Sequence, residues 1–307
     1  MRGMSLRIAY FGPAGTFTEA ALRRLYTEDQ AEAVPFPTIM ATLDAVRECV
    51  TDRGVVPLEN SVEGAVTATL DELARGRALI IRTEIHLPVA FALLGREGTD
   101  LAGIKVVSGH PQAQAQCRQW LAANLPHAEW RPASSNAEAA RQAAEGQIDG
   151  ALAGEFAASV YGLAVLARNV HDRATAVTRF VEVSLPGKPP APTGADRTSV
   201  VAFLADDHPG ALMEILTQFA ARGVNLTRIE SRPTGERLGK YCFSIDCEGH
   251  IFDARVGEAL MGLHRVCGDV RFLGSYPCAD EDASTRVLPG TSDAEFARAA
   301  QWLHGIR

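Results

Sequence analysis

Several short stretches carry polar side chains at spacings that could do chemistry. Val56-Pro57-Leu58-Glu59-Asn60-Ser61 places a carboxylate, an amide and a hydroxyl directly after an apolar run. If that run is a buried strand, these groups stand at the C-terminal edge of a sheet, where open α/β sheets bind ligands; a polar turn with a helix cap fits as well. His110-Pro111-Gln112 opens a helical stretch in which Gln112 and Gln116, four residues apart, share a face. A solvated polar face has the same pattern, and no base or nucleophile is paired with His110, so a hydrolytic triad has no support. Thr178-Arg179-Phe180 joins a hydroxyl to a guanidinium, and alone it reads as an ordinary strand start. Gly12-Pro13-Ala14-Gly15-Thr16 lies between a strand and a helix, where backbone N–H groups can receive an anion. It is neither G-x-G-x-x-G nor a Walker loop, which disfavours nucleotide binding. The six cysteines include no C-x-x-C, so reduced thiols are expected and a metal site is not.

The elements that must position these groups follow an α/β pattern over residues 6–185. Strands are expected at Arg7–Phe11, Val34–Phe36 and Gly54–Leu58, with helices from about Thr16, over Thr38–Cys49 and around Thr67–Arg75. A long β segment, Ala78–Leu94, leads to a second unit. That unit has strands at Lys105–Val107 and Asp149–Ala153, and helices at Gln112–Ala123, Ser135–Glu145 and Glu155–Tyr161. Arg179–Leu185 closes it. Two α/β lobes joined by crossing strands leave a cleft, a common place for a small-molecule site.

Pro186-Gly187-Lys188-Pro189-Pro190-Ala191-Pro192 is a linker by composition. Beyond it come Ser199–Leu204 (strand), Pro209–Arg222 (helix), Asn225–Arg232 and Lys240–Cys247 (strands), Asp253–Val266 (helix) and Asp269–Tyr276 (strand). This β-α-β-β-α-β order is that of a ferredoxin-like unit. Leu212, Ile215, Leu216, Phe219 and Ala220 are expected on the inner face of its first helix. An exposed edge of such a sheet commonly pairs with a second copy, so an oligomer is expected. A last helix is expected from Asp293 to His304.

The 307 residues suffice for two or three domains. A net charge of −7 argues against a nucleic-acid partner. No apolar run approaches the roughly 20 residues that span a bilayer, and the N-terminal stretch is too short and polar for a signal peptide. A cytoplasmic protein with no membrane partner is expected.

In order along the chain, GPAGTF at 12–17, VPLENSVEGAV at 56–66, HPQAQAQC at 110–117, GEFAASVYGL at 154–163 and TRF at 178–180 resemble the prephenate dehydratase catalytic domain. GALMEIL at 210–216 with NLTRIESRP at 225–233 resembles the ACT regulatory domain attached to it. The likeness runs from about residue 6 to 277. It departs from the family at Gly109, where relatives commonly have Ser, and at Ala176, where they often have Asn.

The resemblance implies a two-lobed, periplasmic-binding-protein-like catalytic domain over 1–188, its lobes being about 6–90 with 170–186 and about 91–169. A linker at 189–196, an ACT domain at 197–280 and a tail at 281–307 follow. It implies decarboxylative dehydration of prephenate to phenylpyruvate, feedback regulation by L-phenylalanine, and a homodimer or homotetramer. Thr178, Glu59 and Asn60 are then the expected catalytic residues. Arg179, Ser61, Gln116, Thr16, His110 and Phe180 are the expected substrate contacts. Gly210, Ala211 and Leu212 of one subunit, with Asn225, Leu226, Glu230 and Ser231 of its neighbour, would hold phenylalanine. The electron pair freed by decarboxylation expels the hydroxyl through the ring, so no cofactor is needed. Thr178 would hydrogen-bond the leaving oxygen, Arg179 would hold the side-chain carboxylate through its fork, and Glu59 could give a proton only if burial raised its pKa. A non-catalytic amino-acid sensor and an arogenate dehydratase are the rival readings. With no mutase helix before residue 6 and no dehydrogenase segment, a bifunctional enzyme is not expected.

Overall fold

The computed structural model describes residues 5–172, 176–235, 240–280 and 287–307. By contacts the chain divides into two units. One holds the chain up to Val66 together with Ile85–Phe180; the other holds Thr67–Glu84 and everything from Val181.

The first unit opens with β1 (Leu6–Phe11), α1 (Phe17–Leu25), β2 (Ala31–Phe36), α2 (Ile39–Arg47) and β3 (Arg53–Asn60). Thr16 and Thr38 cap the two helices, each accepting from the backbone N–H three residues on, which satisfies donors a helix start leaves free. β1 pairs in parallel with both β2 and β3. Ile8, Tyr10, Leu22, Val55, Ile85, Leu87 and Phe180 form the core against this sheet. Each such buried aliphatic or aromatic side chain contributes about 1.5–3 kcal/mol. β3 runs two residues past the predicted end and turns through Ser61, Val62 and Glu63 into β4 (Gly64–Ala65), with Glu59 paired to Ala65 and Asn60 to Gly64.

After α3 (Thr67–Ala74), strand β5 (Ile80–Pro88) forms an edge of the first sheet and leads on to the second lobe. The single β segment expected over 78–94 is interrupted at 89–91 and resumes as β6 (Ala92–Gly95). Pro88, which has no N–H for a ladder, marks the break. Val89 N–H instead donates to the Ala176 carbonyl on the returning chain, 2.7 Å away.

The second lobe continues with β7 (Val106–Gly109), α4 (Pro111–Gln116), α5 (Arg118–Asn124), β8 (Glu129–Pro132), α6 (Asn136–Ala144), β9 (Gly150–Ala153), α7 (Phe156–Tyr161) and β10 (Ala164–Ala167). Its sheet has the order β10-β6-β9-β7-β8. The helix predicted over 112–123 divides at Cys117, because the Asp172 carboxylate caps a fresh start there by accepting from Gln119 N and Trp120 N at 3.0 and 3.1 Å. The edge strands β8 and β10 carry no strong period-2 signal and go unread in the sequence.

β11 (Val177–Ser184) returns between β3 and β5, completing the first sheet in the order β2-β1-β3-β11-β5. β5 and β11 each run from one unit into the other.

In the second unit β12 (Asp196–Phe203), α8 (Ala211–Ala220), β13 (Leu226–Pro233), β14 (Tyr241–Glu248), α9 (Ala254–Val266) and β15 (Asp269–Pro277) form the expected βαββαβ fold, with sheet order β13-β14-β12-β15. The inner stripe of α8 is narrower than predicted. Ala211, Ile215 and Phe219 are buried, whereas Leu212 and Ala220 are exposed. The polar side of β14 is also buried: Asp246 accepts two bonds from Arg228, at 2.8 and 3.0 Å, and one from Ser199 at 2.6 Å. A second buried carboxylate, Glu84 of β5, accepts from Arg197 of β12 at both oxygens and from Ala279 N–H. α10 (Asp293–Gly305) has a capping box at Ser292 and Glu295 and buries none of its residues.

Candidate active site

Asn60 ends β3 in the first unit and is half-buried; of the expected site residues only Gln116 lines the neighbouring cavity. Its Nδ2 donates to Thr178 Oγ1 at 2.8 Å, while its Oδ1 accepts from the backbone of Val62 (2.9 Å) and Glu63 (3.1 Å). One amide therefore sets both the hydroxyl on β11 and the turn after β3. The same strand ends are joined twice more, by Ser61 N–H to the Val177 carbonyl and Val177 N–H to Ser61 Oγ, each at 2.9 Å. Thr178 is 8% exposed and Arg179 6%. Arg179 Nη1 stands 3.8 Å from Glu59 Oε2. The Glu59 side chain is 36% exposed.

Across the cleft, Gln116 on α4 donates to Glu63 Oε1 at 3.3 Å, and Gln112 donates to Glu63 Oε2. A cavity of about 710 Å³ lies here, lined by Val62, Glu63, Ala115, Gln116, Arg118, Gln119, Asp172 and Ala176. Burial, reinforced by the Asp172 carboxylate, pushes the Cys117 thiol beneath it up to about 12. That thiol is held as the neutral form and is no nucleophile.

Three further residues expected as substrate contacts also serve the scaffold. Phe180 is 2% exposed and packs with Ile8, Tyr10 and Leu22, so its ring belongs to the lobe core. Residues 178–183 of β11 are buried on both faces of the strand. Thr16 donates to the Phe11 carbonyl and accepts from Glu19 N, which makes it a helix cap. His110 caps α4 by accepting from Gln112 N at Nδ1, 3.3 Å away. The Gly12–Thr16 turn is itself met by the other lobe. Tyr161 O–H donates to the Ala14 carbonyl at 2.6 Å, and a Cβ on Gly15 (φ +79°) would lie 2.7 Å from the Tyr161 ring.

Glu63, Arg118, Asp172 and Tyr161 are the cleft residues that sequence reasoning passed over. Glu63 and Tyr161 sit inside quoted motifs, but as a lone carboxylate and a lone phenol they carry no spacing signal. Asp172 lies in a segment without periodicity. The departure at Gly109 has a steric cause: a Cβ there would stand 3.0 Å from Trp130 and 3.2 Å from Leu152.

In the second unit, Gly210 takes φ +96° just before α8, a conformation that favours glycine. A cavity of about 250 Å³ brings Gly210, Ala211 and Leu212 together with Asp207, His208, Ser231, Tyr241 and Phe243. Asn225, Leu226 and Glu230 do not line it. Asn225 bonds Glu248 at the far end of β13, about 20 Å along the strand from Ser231, and Leu226 packs on the core.

Residues 8–187 match the family model described as Prephenate dehydratase, and residues 199–264 match the ACT domain. The chain is 47% identical over 310 residues to a curated prephenate dehydratase of Mycobacterium tuberculosis, covering 98% of this chain and 94% of that one. It superposes with a TM-score of 0.93 on the crystal structure of a prephenate dehydratase in complex with L-Phe from Arthrobacter aurescens, at 49% identity and covering 98% and 99% of the two chains. A more distant solved neighbour, GqqA, described as a quorum quenching acylase, is 30% identical with a TM-score of 0.80, over 89% of this chain and 98% of that one. By this match along nearly its whole length, and by the family model over its first unit's motifs, the chain belongs to the prephenate dehydratase family, whose members are hydro-lyases.

Proposed function

We propose that this chain converts prephenate to phenylpyruvate and that L-phenylalanine controls it through the ACT domain. The observation that carries the reading is the Asn60–Thr178 hydrogen bond, which aims a largely buried hydroxyl from beside a guanidinium. In the reaction the bond to the ring carboxylate breaks and CO2 leaves. The electron pair passes through the diene to the opposite carbon, and the C–O bond there breaks. The departing hydroxide takes a proton and leaves as water. Because Thr178 Oγ1 accepts from Asn60, its own proton is free to point at that oxygen. A positioned donor of this kind contributes about 10²–10⁴-fold. Arg179 holds the side-chain carboxylate, Ser61 and Gln116 orient the ring and its oxygens, and solvent completes proton delivery in place of Glu59.

Acyl transfer, the activity named for one neighbour, needs a nucleophile beside a base. Thr178 has an amide N–H beside it, and Ser61 Oγ accepts a backbone N–H; both favour dehydration. Phenylalanine binds at Gly210–Leu212 of one subunit and the β13 strand of its neighbour, which makes a dimer the smallest regulated form. The working division is a catalytic part over 1–188, a linker over 189–196, the ACT domain over 197–280 and a tail over 281–307. No helix among the described residues is long and apolar enough to cross a membrane; a cytoplasmic location follows from the pathway reading. The test is a cofactor-free assay of prephenate, and separately arogenate, with and without L-phenylalanine. Formation of phenylpyruvate from prephenate, suppressed by phenylalanine, is the expected result. Turnover of arogenate alone would transfer the reading to the aminated substrate.

A further inference from the structure

Glu63 is the only carboxylate among the described residues shown bonded to two side-chain amides from the opposite wall of the cleft. Its backbone is fixed by Asn60 Oδ1, the same side chain that holds Thr178. Its carboxylate is exposed, and so are the residues around it in the turn. Bonds between exposed groups are worth little, so the bridge can open without unfolding anything. Gln116, one of the two donors, is also the amide expected to orient the substrate. A carboxylate of this chain thus occupies the donors that an anionic ligand would use, in the cavity such a ligand would enter.

We propose that Glu63 is a built-in stand-in for a substrate carboxylate: it latches the cleft across its two walls, and a dianionic substrate must displace it from Gln112 and Gln116. This deepens the prephenate reading and rests on it. The backbone tether keeps the displaced carboxylate nearby, so its charge opposes ligands in proportion to their own. Glu63 therefore sets affinity and charge preference, and it makes no contact with the reacting atoms.

The test compares wild type with Glu63→Gln and Glu63→Ala. In both variants KM for prephenate should fall about fivefold, the worth of one competing hydrogen-bonded contact, with kcat within about twofold of wild type. The inhibition constant for phenylpyruvate, a monoanion, should fall less, by about twofold. An unchanged or raised KM in Glu63→Gln overturns the proposal, as does an equal gain for the monoanion. A purely structural residue would move kcat or stability and show no dependence on ligand charge. The latch is read separately from turnover by spin labels at Arg24→Cys and Ala123→Cys, one on each lobe, in a background with the accessible thiols Cys49, Cys267 and Cys278 replaced by Ser. Without ligand, Glu63→Ala should give a longer and broader inter-lobe distance than wild type; identical distributions overturn the latch. Wild-type protein inert toward prephenate would sink the functional reading while leaving the label experiment to judge the latch.

Discussion

Asn60 does two jobs that its position in the sequence shows only in part. A carboxylate–amide–hydroxyl triplet after an apolar run places all three at a sheet edge, but not which of them faces a partner 118 residues away. That partner depends on β11 returning beside β3, a non-local pairing. The same limit applies to Phe180 and Thr16: the motifs mark both, but not that Phe180 packs in the lobe core and Thr16 caps a helix. Arg179 is the residue for which side-chain shape matters most. A planar guanidinium can hold a carboxylate through two parallel bonds, and an ammonium cannot. Arg179→Lys should raise KM for prephenate about tenfold, with kcat reduced much less, in steady-state assays. A wild-type KM in that variant would give the carboxylate to another group.

At the scale of elements, most strands and helices are readable because their apolar periods are regular. The exceptions have local causes: Asp172 restarts the helix at Arg118, Pro88 ends β5, and the edge strands β8 and β10 are four residues each. The start of α8 has a titratable feature of its own. His208 Nε2 lies 3.1 Å from Glu214 Oε1 and Nδ1 lies 3.2 Å from the Asp206 carbonyl. Two acceptors require two ring protons, so the bond to Glu214 first, and then the Asp206 carbonyl, raise the imidazole above its ordinary value. A raised folded value means that any stabilisation from this contact is fully present below the unfolded-state pKa. It fades as pH rises through the folded one. An NMR titration should place the His208 midpoint above that of a free histidine, and Glu214→Gln should bring it back down. Coincident midpoints in the two proteins would show that the Glu214 contact is absent in solution.

For the molecule as a whole, the ordered set of motifs made the family legible from residue 6 to 277, though each motif alone is a plain turn or a solvated face. What escaped was geometry between distant segments: the cross-cleft Glu63 bridge, and the separation of Asn225 from Ser231 along β13. Of the expected effector contacts, Ser231 lines the cavity beside Gly210, whereas Asn225 stands at the opposite end of the strand. Gly210 is open on its Cβ side but held at φ +96°, so a branched residue there strains the backbone without a clash. Gly210→Val should abolish inhibition by phenylalanine and leave prephenate turnover near wild type; full inhibition in that variant would move the effector site elsewhere. Loss of the hydroxide leaving group depends on the Thr178 hydroxyl, and steady-state turnover of prephenate by Thr178→Ala tests this most directly. The expected result is a kcat lower by about 10²–10⁴-fold with KM little changed, and substantial recovery in Thr178→Ser. A Thr178→Ala enzyme with wild-type kcat would contradict it.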